Sequence, residues 1–123
     1  MNALTLFARF LILVIAAQFY AAGLAIFGAT SFVPHAIIGW TFIVLSLILV
    51  LTAMVSRSRR LVAWPASAVL LLAVSQPVIV FGLRQWPAVA AVHPVIGLVI
   101  ASLLLVITRR AQRGQTPGSD PGV

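Results

Sequence analysis

Four apolar runs, each close to the 20 or so residues a helix needs to cross a hydrocarbon core, follow one another through this chain with little between them. The first extends from about Phe7 to Ala29 and ends at Thr30-Ser31. The second opens near Pro34, where a first-turn proline costs no helical hydrogen bond, and continues to Ser56. Arg57, Arg59 and Arg60 separate it from the third, about Leu61 to Leu83, which ends at Arg84-Gln85-Trp86-Pro87. The fourth, about Ala88 to Thr108, is followed by Arg109, Arg110 and Arg113. Barrel strands would alternate over about ten residues, so these continuous runs predict spanning helices. The expected fold is all-α, an integral membrane four-helix bundle.

Composition closes off most other classes. Mean hydropathy is +1.19, and 7% of residues are charged, against about 25% in a soluble domain. Asp120 is the single acid among 123 residues, so paired-carboxylate catalysis and an acidic proton relay are both excluded. The absence of cysteine removes disulfides, thiolate metal sites and thiol nucleophiles. A four-helix exporter of this size would depend on an intramembrane glutamate, and the chain has none.

Arginine supplies all of the basic charge, and its placement orients the bundle. By the positive-inside rule, both termini and the Arg57–Arg60 loop are expected in the cytoplasm, with Arg84 alone outside. A bacterial plasma membrane is the expected setting. The arginine clusters are read as topology signals that also attract anionic membrane lipid, and nucleic acid is not an expected partner. The first run is too long for a typical signal-peptide core. Residues 1–113 form the expected bundle and 114–123 a disordered cytoplasmic tail, being rich in Gly, Pro and Ser.

Sliding the chain on itself by 58 positions aligns the first helix pair (about residues 2–56) with the second (about 60–113) without a gap. Most matches are apolar on apolar and carry little information. The informative ones are Gln18 with Gln76, His35 with His93, and Gly39 with Gly97. Both histidines of the chain therefore fall on one repeat position. Tandem parallel repeats of this kind place the second and fourth helices opposite each other, with the histidines at matching depth.

The duplication could have copied the histidines merely as packing or interfacial positions; if they act together, two facing imidazoles without a nearby acid leave a short list of chemistries. Haem iron takes two axial imidazoles from facing helices of a bundle. Zinc would need more ligands than the chain offers, and copper would need Met54, which lies far from the histidines in depth. Haem fits the donor set best. Gly39 and Gly97 each follow a histidine by four residues on the same helix face. They would let a flat macrocycle lie against the backbone, or else let helices pack closely. Pro34 and Pro94 leave upstream carbonyls unpaired, and these could accept an imidazole N–H; the simpler explanation is that both are helix-start residues. Gln18 and Gln76 are expected to hydrogen-bond across the bundle or to line the pocket, and Pro77 is expected to kink the third helix. Arg84 could pair with haem propionates or anchor the outer interface.

Glutamine in the first and third helices, with histidine near the start of the second and fourth, resembles one half of haem A synthase. The pattern is still more similar to small four-helix proteins related to that half, in which the last helix opens with a His-Pro pair. The residues carrying the resemblance are Gln76 and Ala91-Val92-His93-Pro94, with Gln18 and His35-Ala36-Ile37-Ile38-Gly39, across about residues 7–110. The resemblance implies b-type haem held between His35 and His93, serving electron transfer or haem handling with a quinol or another redox subunit as partner. The synthase's outer-loop carboxylate has no counterpart, since Phe32-Val33-Pro34 precede His35. The synthase also joins two bundles, which a homodimer would restore. The competing expectation is a cofactor-free accessory or scaffold subunit of a larger membrane complex.

Overall fold

The computed structural model describes residues 3–83 and 85–113. Arg84 and the 114–123 segment lie outside the described residues. The chain folds as α1 (Ala3–Ile26), α2 (Val33–Val55), α3 (Arg59–Gly82), a single turn α4 (Pro87–Ala90) and α5 (Val92–Arg113). Among the described residues there is no strand. α1, α2, α3 and the combined α4–α5 segment are each long and apolar enough to cross a membrane. The protein is an all-α four-helix bundle of the membrane-spanning kind.

Where each helix begins and ends follows from local chemistry more than from hydropathy. α1 starts at Ala3 rather than near Phe7 and includes Arg9. It stops at Ile26, three residues before the apolar run does. Gly28 takes up left-handed φ (+76°) there. Its N–H bonds to the Ala25 carbonyl (3.1 Å) and that of Ala29 to the Leu24 carbonyl (2.8 Å). This pair of bonds is a Schellman cap, which satisfies helix-end carbonyls that have no intrahelical partner. α2 begins one residue earlier than the sequence suggests, with Pro34 in its first turn. The Arg57–Arg60 cluster is not all loop. The link is Ser56–Ser58, and Arg59 and Arg60 already belong to α3.

The fourth span is broken where the sequence predicts one helix. Ala91 separates α4 from α5, and Pro94 explains the position: a proline ring clashes with the carbonyl four residues upstream, here that of Ala90. Pro65 and Pro77 both lie inside α3, which remains one helix. Ser46, Ser75 and Thr108 donate to carbonyls three or four residues back (2.7–2.9 Å). Hydroxyls in an apolar medium are satisfied within their own helix in this way.

α1 and α3 each pack against both α2 and α5. α2 and α5 therefore stand on one diagonal of the bundle, as a twofold relation between the helix pairs requires. The close-packed core occupies the end that carries most of the arginines. Ala8, Ala53, Ala66 and Ala111, one from each spanning helix, are fully buried there, together with Leu11, Leu49, Val62, Leu104 and Ile107. Small side chains let helix backbones approach, which is the main packing device where lipid removes the hydrophobic drive. Arg110 stitches α5 to α3 at the same end. Its guanidinium lies 5.3 Å from the centre of the Trp64 ring and donates to the Leu61 carbonyl (3.0 Å).

Candidate cofactor site

At the opposite end the bundle is hollow. A cavity of about 670 Å³ opens among all four spanning helices, and its walls are almost wholly apolar. His35, His93, Gln18, Gln76, Gly39 and Gly97 all line it. The structure thus brings together every described residue that the repeat singles out.

Both histidines sit in the first turn of their helices, α2 and α5, and reach toward each other across the diagonal. Their ring centres are 6.0 Å apart and the ring planes make an angle of 72°. His35 is the more firmly held. Its Nδ1–H donates to the main-chain carbonyl of Gln18 (3.0 Å). A carbonyl can only accept, so this bond puts the proton of the neutral ring on Nδ1 and leaves Nε2 with a free lone pair. Phe32, one turn earlier, meets the same ring edge-on at 6.2 Å. His93 has no such anchor: its Nδ1 is buried and without a hydrogen-bond partner.

Each set of surrounding groups takes one of the two roles expected of it. The carbonyls freed by Pro34 and Pro94 are not the imidazole acceptors: His35 donates instead to the Gln18 carbonyl of neighbouring α1, and His93 Nδ1 has no partner. Gln18 and Gln76 do not bond to each other. The Gln76 amide turns back to the Leu72 carbonyl of its own helix (3.4 Å), while Gln18 Oε1 is buried and unpartnered. The two helices that carry them stand on the other diagonal, with the cavity between. The space over the glycines is also already used. A Cβ on Gly39 would meet Gln18 Nε2 at 2.9 Å, and one on Gly97 would meet Phe19 Cζ at 3.0 Å. In this conformation α1 side chains cover both glycines. Arg84 lies outside the described residues.

The aromatic lining was not legible in the repeat. Phe19, Phe32, Trp40 and Phe81 all face the cavity, but a shift of 58 pairs them with Pro77, Ala90, Leu98 and Gly23. Comparing the halves selects what they share and discards what distinguishes them. Helical spacing offered one usable signal, since Phe32 precedes His35 by three residues and so shares its face.

The donor set limits what could be held. Among the described residues no group of three or more His, Cys, Asp or Glu side chains could bind a metal ion. A metal here would have two protein ligands and would have to bring the rest. No curated protein and no solved structure matches the chain. A family of unknown function, DUF6220, matches residues 18–83, a stretch that contains Gln18, His35, Gly39 and Gln76 and stops short of His93. That match spans more than half of the chain, and the protein belongs to this family.

Proposed function

We propose that this is a membrane b-type haem-binding protein whose haem is held between His35 and His93. The observation that carries the reading is the convergence of the only two imidazoles across the bundle diagonal, 6.0 Å between ring centres. Two imidazoles that held one metal from opposite sides, each through a nitrogen at about 2 Å, would have their ring centres about 6 Å apart. His35 and His93 would supply two donors, and a metal held there would bring its other ligands with it, as iron would in a tetrapyrrole. An apolar cavity of about 670 Å³ suits such a macrocycle and lies within the range of roughly 300–1,000 Å³ typical of ligand sites. The free lone pair on His35 Nε2, with Nδ1 tied to a carbonyl, is the usual preparation of a histidine ligand.

On this reading the protein serves electron transfer or haem handling at the outer side of a bacterial plasma membrane, with the arginine end in the cytoplasm. One haem near one face needs a partner to complete a transmembrane path, such as a quinol or another redox subunit. The second reading, a cofactor-free accessory subunit, is favoured by one observation: Gln18 and Phe19 already fill the space over Gly39 and Gly97.

A reduced-minus-oxidised absorption spectrum of the purified protein, produced with ample haem supply, separates the two. The haem reading expects near-stoichiometric haem with a sharp low-spin α-band, lost when either His35 or His93 is replaced by alanine. A colourless, well-folded preparation would leave the accessory subunit standing.

A further inference from the structure

The two halves share their histidine but not what surrounds it. His35 is held by the Gln18 carbonyl and by the Phe32 edge. The corresponding groups in the second half are the Gln76 carbonyl and Ala90 (18 + 58 = 76; 32 + 58 = 90). The Gln76 carbonyl does not receive the second imidazole, because His93 Nδ1 is buried without any partner. Pro77 follows Gln76 directly, where the first half has Phe19. Alanine at position 90 offers no ring to brace His93. The backbone that carries His93 also starts just after the break at Ala91.

A hydrogen bond from the far nitrogen of a ligating imidazole fixes its orientation and raises its basicity. Loss of such a partner typically lowers metal affinity about 10- to 100-fold. We infer that the site is built asymmetrically: His35 is the permanent axial ligand, and His93 is an exchangeable one that yields its coordination position to a small neutral ligand such as carbon monoxide or free imidazole. This rests on the haem reading and adds to it. A site made for electron transfer alone would keep both ligands bound, whereas one that releases a ligand can bind a small molecule or pass its haem on. The exchange is a substitution at the metal: the bond to His93 breaks as the bond to the incoming lone pair forms, and no electron changes hands.

The test uses the full-length protein in detergent. Haem per chain is measured for the wild type, His93→Gly and His35→Gly, and carbon monoxide is added to the ferrous forms. The expected result is that His93→Gly keeps haem within about twofold of wild type, becomes high-spin and returns to low-spin on adding imidazole. His35→Gly is expected to lose haem by about tenfold or more. Because misfolding alone could empty His35→Gly, the deciding comparison needs only the other two proteins. Ferrous wild type should take up carbon monoxide, and its spectrum should coincide with that of carbon monoxide-bound His93→Gly, since His35 is the opposite ligand in both. A wild type that stays low-spin and refuses carbon monoxide overturns the inference while leaving the haem reading intact. Adducts that differ, or His93→Gly losing its haem, overturn it likewise. A colourless wild type removes both together.

Discussion

The two ends of this bundle are made from the same four helices, yet one is packed solid and the other is hollow. At the arginine end an alanine from each spanning helix is fully buried, and leucine, valine and isoleucine fill what remains. At the histidine end the helices surround about 670 Å³ of open space. Overall hydropathy does not distinguish the ends, because both are apolar. The difference is in how side chains meet: small residues let the helices close up at one end, whereas at the other the same helices stand back around the cavity. A protein in lipid gains little by collapsing an apolar void, since lipid tails are as apolar as leucine.

The contrast makes mutations at the two ends behave differently. The largest expected difference is between Leu104→Ala and Val80→Ala. Leu104 is fully buried in the packed end, and its truncation should cost about 2–4 kcal/mol. Val80 borders the cavity and has no tight surroundings to lose, so its truncation should cost less than about 0.5 kcal/mol. Reversible unfolding in mixed micelles measures both; equal costs would erase the distinction between the ends.

A smaller effect comes from adding volume at the alanine layer. Ala66→Leu must push neighbouring backbones apart and should cost about 1–3 kcal/mol by the same measurement. If it proves neutral, the layer is less tightly packed than its burial implies.

Gly39→Ala is expected to change stability by under about 1 kcal/mol, because its Cβ meets the flexible end of Gln18 and helix propensity compensates. Its value lies in a second readout. Lowered haem occupancy at unchanged stability would place the macrocycle against this glycine. Unchanged occupancy would make Gly39 a packing position for α1.

Much of the fold could be read in the sequence because the bilayer imposes it. Twenty-residue apolar runs bounded by arginine have few solutions, and all four spans are found within a few residues of where they were expected. The ends differ for local reasons that hydropathy does not register: the left-handed Gly28 stops α1 early, and Pro94 breaks the last span at Ala91. Gly28 after a long apolar run was a usable signal. In the site, the repeat identified which six described residues gather, since a duplicated arrangement carries its shared positions to equivalent depths. It did not reveal their partners. Whether Gln18 meets Gln76 or offers its carbonyl to His35 depends on how each helix is rotated about its axis. Helices apolar on every side do not encode that rotation in their pattern. Such details follow from packing, which only the assembled bundle contains.

The link from α2 to α3, Ser56 to Ser58, spans three residues. It joins the two helix pairs at the packed end, so neither pair ever diffuses away from the other. A short tether of this kind holds its ends at an effective concentration on the order of millimolar, and closing so small a loop costs little chain entropy. Association of the two halves is thereby an intramolecular step that does not depend on how much protein the membrane contains. Cut at that link, the same two hairpins would have to find each other by two-dimensional diffusion, and their pairing would become concentration-dependent.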